Sequence, residues 1–350
     1  MTKRNPVILA IDTSNYTTSA ACSTPDSGYV SGGFLIKQEK KLLTVPVGGR
    51  GLRQSDAVFA HTVNLPCLLE TLCSAIPDSM EIAAVGVSTA PRNTEGSYMP
   101  CFLTGEASAR AIAAAMQVPL YRFSHQEGHI AAAAYSALYA PDTDEKAAAV
   151  HTPLTVFSEE PFLAFHVSGG TTDLMLVTPM NRRYEIKTLG TSLDLHAGQA
   201  IDRIGVTLGL SFPCGMELER LACAYKGSLP QIKVCVKGCD CNLSGIENIA
   251  AKMKKDGAQR EEIAAFTFAF LEKTLCQMTK NALSQYPNLP VLYAGGVMSN
   301  RYMRTALAAV CQTLGSCAYF SAPAFSADNA VGISMLACRA YLADTAQENP

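Results

Sequence analysis

Two histidines four residues apart, His125 and His129, have the spacing in this sequence that first suggests metal chemistry. On an α-helix, residues i and i+4 share one face, so both imidazoles could reach a single metal ion. Zinc peptidases use the same spacing, but there a glutamate directly after the first histidine acts as the general base. Here that residue is Gln126, which argues against a peptidase. The pair alone leaves two interpretations open: half of a metal site, or two histidines on one helix face.

A strand–turn–strand pattern occurs twice in the sequence. The sequence opens with the apolar run VILAID (7–12) and a turn rich in Ser and Thr, and LAFHVSGGTTDLMLV (163–177) repeats this as strand, turn and strand. Both segments predict β-hairpins. Gly169 and Gly170 would let phosphate oxygens approach the backbone of the second turn. Two hairpin-led halves predict two related lobes.

The remaining elements alternate between helix and strand. A buried strand is predicted at 82–89, and helical spacing or helix-forming composition marks 57–76, 105–118, 197–210 and 261–286. The last two units are a strand, a Gly-Gly turn and a helix over 291–314, and a closing helix within 320–343. The segment 141–152 is predicted to be an exposed loop. The pattern is that of an α/β protein with mixed sheets.

Two loops near the C-terminus carry polar residues at positions where helices begin. The Gly-Gly turn at 295–296 precedes a helix, an arrangement that can seat a nucleotide, with Asn300 available for a polar group. Asp328 and Asn329 stand directly before the closing helix, and either could cap it.

Composition narrows the class of protein. The chain has 350 residues, 48% hydrophobic and 17% charged, with a formal net charge of −2, so it has no global attraction to nucleic acid or to anionic membranes. No apolar run is long enough to span a bilayer, and the N-terminus does not resemble a signal peptide. The 13 cysteines are scattered, which predicts reduced thiols and a cytoplasmic location. The cluster Cys235, Cys239 and Cys241 lacks a second CxxC-type pair, so its spacing does not favour zinc.

Taken in order, these segments resemble the TsaD family of tRNA threonylcarbamoyladenosine transferases, formerly called glycoproteases. The resemblance rests on seven blocks that run nearly the full length: LAIDTS, HQEGHIAAA, FHVSGGTT, LGTSLDLHAGQAIDRIGVTLGLSFPCG, NLSGIEN, AGGVMSNR and SADNAVGI. It implies an actin-like ATPase (ASKHA) fold, with two related lobes of mixed β-sheet flanked by helices around a central cleft. The N-terminal lobe would comprise 1–110 plus about 325–350. The C-terminal lobe, 111–324, would carry the phosphate and adenosine loops.

The resemblance also assigns ligands. It implies a divalent metal, iron or zinc, held by His125, His129 and Asp328, a donor set with open positions for a substrate oxygen. It implies an adenine nucleotide, ATP, AMP or threonylcarbamoyl-AMP. The residues carried over for that nucleotide are Val167, Ser168, Gly169 and Gly170 at the phosphate, with Asp202, Gly215 and Asn300 around the ribose and base.

The sequence departs from the family pattern on the acid/base and substrate-facing side. Where the family has Cys-Asp-Glu-Thr, with a catalytic aspartate, this chain has Asn15, Tyr16, Thr17 and Thr18, and the catalytic position is Tyr16. Further replacements are Thr171 for a histidine, Leu195 for the second of two aspartates, Gln199 for a glutamate and Cys214 for a glycine. The segment STAPRNTEGSYMPCFLTG (88–105) replaces a Gly-Pro-Gly loop. These changes indicate a divergent paralogue.

The main hypothesis is transfer of a threonylcarbamoyl group from threonylcarbamoyl-AMP to N6 of adenosine 37 in tRNA. TsaB- and TsaE-like accessory proteins would be partners, and Lys252, Lys254, Lys255 and Arg260 would be candidate phosphate contacts or simply a solvated face. One alternative is a nucleotide- and metal-binding regulator or partner subunit without transferase activity. Another is a small-molecule carbamoyl or phosphoryl transferase.

Overall fold

The computed structural model describes residues 4–14, 16–28, 32–44, 52–139 and 156–348. Within these limits the chain forms two compact units. Unit 1 takes its residues from 1–160, 178–185 and 324–350, and unit 2 takes its residues from 161–177 and 186–323. Asn15 and the predicted exposed loop at 141–152 lie outside the described residues.

Strands and helices alternate along the chain, as the pattern predicts. The strands are β1 (Asn5–Ser14), β2 (Thr17–Pro25), β3 (Gly33–Leu42), β4 (Met80–Ala90), β5 (Leu120–Ser124), β6 (Phe162–Val167), β7 (Thr172–Pro179), β8 (Tyr184–Thr191), β9 (Cys235–Lys237), β10 (Asp240–Asn242), β11 (Val291–Ala294) and β12 (Ala318–Phe320). The helices are α1 (Gln54–Cys73), α2 (Phe102–Met116), α3 (His125–Tyr139), α4 (Ala197–Thr207), α5 (Gly215–Ala224), α6 (Gly245–Lys255), α7 (Arg260–Gln285), α8 (Arg301–Thr313) and α9 (Val331–Glu348). Short 3₁₀ turns occupy Gly296–Ser299 and Pro323–Phe325.

The sheet of unit 1 has the strand order β3-β2-β1-β4-β5. The predicted opening hairpin is confirmed, because β1 and β2 pair antiparallel up to Ser14 and Thr17. β4 pairs parallel to β1, and β5 pairs parallel to β4. The C-terminal ends of these three strands therefore meet at one edge of the sheet.

Helices cover both faces of this sheet. Val7, Leu9 and Ile11 of β1 lie on the face packed against α1, in contact with the clusters around Leu65 and Leu72. On the opposite face lie α3 and α9. Both faces of β1 are covered, so its side chains are buried on both sides, and its sequence is an almost continuous apolar run.

Unit 2 repeats the plan of a hairpin extended by parallel strands. Its main sheet has the order β12-β11-β6-β7-β8, in which β6 and β7 are antiparallel and β11 is parallel to β6. Phe165, Tyr293 and Phe320 stack across three neighbouring strands with ring centroids 5.1 Å apart. The mixed α/β architecture with two hairpin-led halves is thus confirmed.

The boundary between the units differs from the prediction near residue 110. β5 pairs with β4 inside the unit 1 sheet, and α3 packs on α9, so residues 111–139 belong to unit 1. None of the described helices has the length and apolar character needed to cross a membrane.

Candidate metal and nucleotide sites

The three predicted metal ligands come together in unit 1. His125 and His129 lie one turn apart on α3 with ring centroids 4.3 Å apart. Oδ1 of Asp328 is 3.4 Å from Nε2 of His125 and 3.1 Å from Nε2 of His129. Their ligand atoms all lie within 4.8 Å of one another, and this is the one group of three or more potential metal ligands found among the described residues.

The approach of Asp328 depends on close packing between α3 and α9. A Cβ at Gly332 would overlap the carbonyl oxygen of Gly128 and lie 2.6 Å from the backbone N of Ala132, so only glycine fits there. Asn329 shapes the turn before α9: its Oδ1 accepts from the backbone N of Val331 at 3.0 Å. The expected cap at this helix is therefore Asn329, which leaves the carboxylate of Asp328 free to face the histidines.

The charges of the site are strongly coupled. Burial lowers the pKa of His125, but the neighbouring carboxylates of Asp12 and Asp328 outweigh burial and raise that pKa to about 10. Burial raises the pKa of Asp328, and hydrogen bonds from His125 and His129 outweigh it, so this pKa lies well below its ordinary value. These shifts favour a protonated His125 beside an ionised Asp328 as long as no metal is bound. A divalent cation would displace that proton, as is general for histidine ligands.

The donor set suits a metal. Two imidazoles and one carboxylate are the ligands found with zinc and non-haem iron(II) sites that keep open positions. The carboxylate of Asp328 already lies at hydrogen-bond distance from both Nε2 atoms, so a metal would need only short shifts of these side chains.

A buried ion pair on the far side of α3 was not predicted. Glu127 is fully buried and accepts two hydrogen bonds from Arg183, at 3.0 and 2.9 Å. Ser124 and Glu127 also form reciprocal side-chain to backbone hydrogen bonds at the start of α3. The Ser-x-x-Glu spacing of a capping box was the available signal. Glu127 thus fixes the first turn of α3, the turn that carries His125.

The turn that is predicted to bind phosphate lies between β6 and β7 in unit 2. The backbone N of Ser168 donates to Thr171 O at 2.8 Å, and the backbone N of Gly170 donates to Ser168 Oγ at 3.3 Å. The loop packs on the start of α4, where a Cβ at Gly198 would lie 2.7 Å from the Gly169 backbone. A Cβ at Gly169 or Gly170 would meet no atom within 4 Å, so their outer side is open.

A cavity of about 330 Å³ lies beside this loop, within unit 2. Four of the residues predicted for the nucleotide line it: Gly169, Asp202, Gly215 and Asn300. The other three residues predicted for the nucleotide, Val167, Ser168 and Gly170, do not line this cavity. Its volume falls in the range of small-molecule and cofactor sites.

Two of the residues predicted for the nucleotide also have structural contacts, and several residues that line the cavity, among them Glu219 and Phe268, were not predicted. Oδ1 of Asp202 accepts from the backbone N of Cys214 at 2.8 Å, and Oδ1 of Asn300 caps α8 by accepting from Met303 N at 2.9 Å. Glu219 and Phe268 also line the cavity. They lie inside helices without a motif, so nothing in their spacing marked them.

The departures from the family pattern in unit 2 have local structural roles. Leu195 and Cys214 are buried in the core of this unit. At the start of α4, Oε1 of Gln199 accepts a hydrogen bond from the backbone N of His196 at 3.4 Å. None of these three residues lines the cavity.

Gly169→Ala is expected to fold like the wild type and to weaken binding of AMP about tenfold or more, because its methyl group would occupy space where a phosphate approaches the backbone. Calorimetric titration with AMP measures the affinity, and a thermal melt checks folding. Gly245→Ala is the matched control, since its Cβ also meets open space but lies outside the cavity. Unchanged AMP affinity in Gly169→Ala would show that this loop does not hold the phosphate.

Asp194 connects two segments of unit 2. Its carboxylate accepts from Leu195 N and Leu243 N at 2.7 Å and from Ser244 Oγ at 2.6 Å. Burial raises the pKa of Asp194, but these hydrogen bonds, that of Ser244 Oγ first, outweigh it and lower the pKa from 3.8 to about 2. A pKa below the unfolded value means that the ionised carboxylate stabilises the fold above pH 3.8, and that this contribution is lost as the pH falls through about 2.

Asp194→Asn is therefore expected to lower the melting temperature by a few degrees at pH 7, and the difference from wild type should shrink as the pH falls from 4 towards 2. Thermal melts of wild type and variant across this pH range test this expectation. Asp256→Asn, a change at an exposed aspartate, is the control. A difference that stays constant with pH would mean that the charge of Asp194 does not contribute.

The position of the family's catalytic acid is exposed. The Tyr16 side chain is 37% accessible in the turn between β1 and β2, and the Tyr16 carbonyl accepts from Leu43 N at 2.8 Å. The basic candidates Lys252, Lys254, Lys255 and Arg260 are also exposed, and Lys254 donates to Thr207 O.

Comparison with known proteins gives one family. The model of the family described as TsaD, tRNA N6-adenosine threonylcarbamoyltransferase, matches residues 49–335. A tRNA N6-adenosine threonylcarbamoyltransferase of Methanopyrus kandleri is 28% identical over 292 residues, which cover 83% of this chain and 77% of that protein.

Solved structures share the fold at low sequence identity. HypF of T. kodakarensis is similar with a TM-score of 0.60 and 12% identity over 97% of this chain and 48% of that chain. Full-length HypF in a phosphate- and nucleotide-bound form is similar with a TM-score of 0.55 and 12% identity, over 99% of this chain and 47% of that chain. A ROK family protein of Streptococcus pneumoniae in complex with sucrose is similar with a TM-score of 0.51 and 10% identity, over 97% of this chain and 99% of that chain. The chain thus spans about half the length of the HypF chains, and the likeness is one of fold.

Proposed function

Because the chain belongs to the TsaD family, we propose that it is a transferase that moves a threonylcarbamoyl group from threonylcarbamoyl-AMP to N6 of adenosine 37 of a tRNA. The observation that carries this proposal is the convergence of Asp328, which is far from the helix of His125 and His129 in sequence, on these two histidines. The cavity beside the phosphate loop supports a nucleotide as the second ligand.

Each unit has a defined task in this proposal. In unit 2, the backbone N–H groups of Gly169 and Gly170 bind the phosphate of the adenylate, while Asp202, Gly215 and Asn300 line the space for ribose and base. Val167 and Ser168 are the other two residues that the family resemblance places at the phosphate, and they do not line the cavity. In unit 1, His125, His129 and Asp328 hold a divalent ion, iron or zinc. When bound by these residues, a divalent ion would supply Lewis acidity towards an oxygen of the transferred group.

The reaction itself is an acyl transfer. The N6 amine of adenine 37 attacks the carbonyl carbon of the threonylcarbamoyl group, an N–C bond forms, and AMP leaves with the electrons of the broken C–O bond. The attacking amine loses a proton, and the family assigns acid/base work to the position of Tyr16. This chain has no carboxylate at that position, so the proposal predicts a slow enzyme. The adenine must be unstacked from its loop to reach the site.

The family resemblance suggests partners, and the scattered cysteines suggest a location. TsaB- and TsaE-like accessory proteins are proposed partners, and the cytoplasm, where tRNA is modified and thiols stay reduced, is the proposed location.

The test is direct transfer. The purified chain is incubated with threonylcarbamoyl-AMP and a tRNA carrying A at position 37, with and without accessory proteins, and the digested tRNA is searched for the modified nucleoside. The same tRNA with G at position 37 is the control. The expected result is modification of the first tRNA only, with AMP released in equal amount.

One observation favours a second candidate, a nucleotide- and metal-binding subunit without transferase activity: Tyr16 stands where the family has its carboxylate. Retained AMP and metal binding, without modified nucleoside under any of these conditions, would reject the transferase and favour this candidate. A small-molecule carbamoyl or phosphoryl transferase is tested in parallel, by AMP or ADP release from ATP with carbamoyl phosphate or a sugar and no tRNA.

A further inference from the structure

Asp12 is a carboxylate without solvent access beside the three metal-ligand candidates. Its side chain is fully buried at the end of β1. Oδ1 lies 3.0 Å from Nδ1 of His125 and also accepts a hydrogen bond from the hydroxyl of Ser88. Oδ2 is buried and has no hydrogen-bond partner among the described residues.

Strand pairing brings these groups together. Ile11 of β1 pairs with Val87 of β4, so Asp12 and Ser88, one residue further on, are neighbours at the C-terminal edge of the sheet. Ile11 faces the cluster around Leu65, and side chains alternate along a strand. Asp12 therefore points to the opposite face, where α3 begins with His125.

Stability alone does not account for a carboxylate at this position. A fully buried carboxylate loses its hydration, and one with an unpaired oxygen regains only part of that free energy from hydrogen bonds. An apolar residue in the same space would avoid the cost, as Ile8 and Ala10 do earlier on the same face of β1. The contact that distinguishes Asp12 is the one with His125.

We propose that Asp12 is a positioning residue of the metal site, which accepts the Nδ1–H of His125 and thereby directs Nε2 of that ring to the metal. A neutral imidazole carries one proton, and whichever nitrogen holds it cannot bind a metal. With Nδ1 donating to Asp12, the lone pair lies on Nε2, the atom that faces Asp328 at 3.4 Å. The inference rests on the proposed function only in requiring a metal at this site, and it assigns Asp12 no contact with substrate.

Metal affinity is the first measurement. Metal-free full-length protein is titrated with Zn²⁺ against a competing chelator for wild type, Asp12→Ala, Asp12→Asn and Ser88→Ala. Loss of such an outer-sphere partner typically weakens metal binding about 10–100-fold, which is the expectation for Asp12→Ala. Asp12→Asn should lose less, because its amide oxygen still accepts from Nδ1. Ser88→Ala is the matched control, since it removes the other hydrogen bond to the same oxygen, and it should bind Zn²⁺ within about twofold of wild type.

The second measurement separates positioning from a structural role. In Zn²⁺-loaded protein labelled with ¹⁵N-histidine, His125 of the wild type should show a protonated Nδ1 and a metal-bound Nε2. In Asp12→Ala this pattern should be lost or become mixed, while thermal melts of the metal-free protein report folding. A residue that only stabilises the fold would lower the melting temperature and leave the His125 pattern unchanged.

The outcomes are distinct. Wild type that binds no Zn²⁺ overturns the metal site, and the inference with it. Wild type that binds Zn²⁺ while Asp12→Ala binds equally well overturns the role of Asp12 alone, whether or not tRNA is modified. If Asp12→Ala does not fold, Asp12→Asn decides: weaker binding than Ser88→Ala supports the proposal, and equal binding overturns it.

Discussion

His125→Ala is expected to lose its bound metal and its transferase activity together. The variant removes one of the three converging ligands and leaves His129 and Asp328, an incomplete set for zinc or iron. Since the loss of an outer-sphere partner already weakens metal binding about 10–100-fold, the loss of a ligand should weaken it by at least about a hundredfold. Elemental analysis of protein dialysed against chelator measures the metal, and modified nucleoside per enzyme measures the activity.

Gln126→Ala is the matched control for this variant. Gln126 is the next residue on α3, so the change tests the same stretch of helix without removing a ligand. Metal content and transfer activity should equal those of wild type. Full metal content in His125→Ala would contradict the site, and full activity without metal would contradict its role in the reaction.

The metal site was only partly predictable from the sequence. The spacing of His125 and His129 indicates a shared helix face, because the helix repeat is local. No local rule joins Asp328 to that face, and it was assigned through family resemblance; its approach depends on two glycines, Gly128 and Gly332, that let α3 and α9 pack closely.

Long-range strand pairing explains what the sequence did not reveal. Asp12 reaches His125 because β1 and β4 lie side by side in one register, and nothing in the residues around either position encodes that register. The unit boundary was misplaced for the same reason. β5 is a short strand with mixed polarity, and only its pairing with β4 identifies it as part of the unit 1 sheet. The hairpins and long helices, by contrast, have periodic patterns that can be read directly.

Tyr16→Asp is expected to raise the rate of threonylcarbamoyl transfer. The variant restores a carboxylate where the family has its catalytic aspartate, in the turn between β1 and β2. General acid/base groups contribute about 10²–10⁴-fold to rate, so the gain could reach that range if the rest of the site is intact. The Tyr16 side chain is 37% accessible, so a charged replacement does not have to be buried. Single-turnover transfer from threonylcarbamoyl-AMP to tRNA measures the chemical step.

Tyr16→Asn is the control that separates the effect of adding a negative charge from the effect of removing the phenol ring. Asparagine matches aspartate in size and cannot take up a proton, so it should leave the rate near that of wild type. A higher transfer rate in both variants would mean that the phenol ring of Tyr16 obstructs the site. A rise in Tyr16→Asp alone, lost as the pH falls below the pKa of an ordinary aspartate near 4, would identify the carboxylate as the group that this chain lacks. If neither variant is faster, while both still bind AMP and metal, the divergence of this chain extends beyond Tyr16, and the replaced segment at 88–105 becomes the next region to exchange.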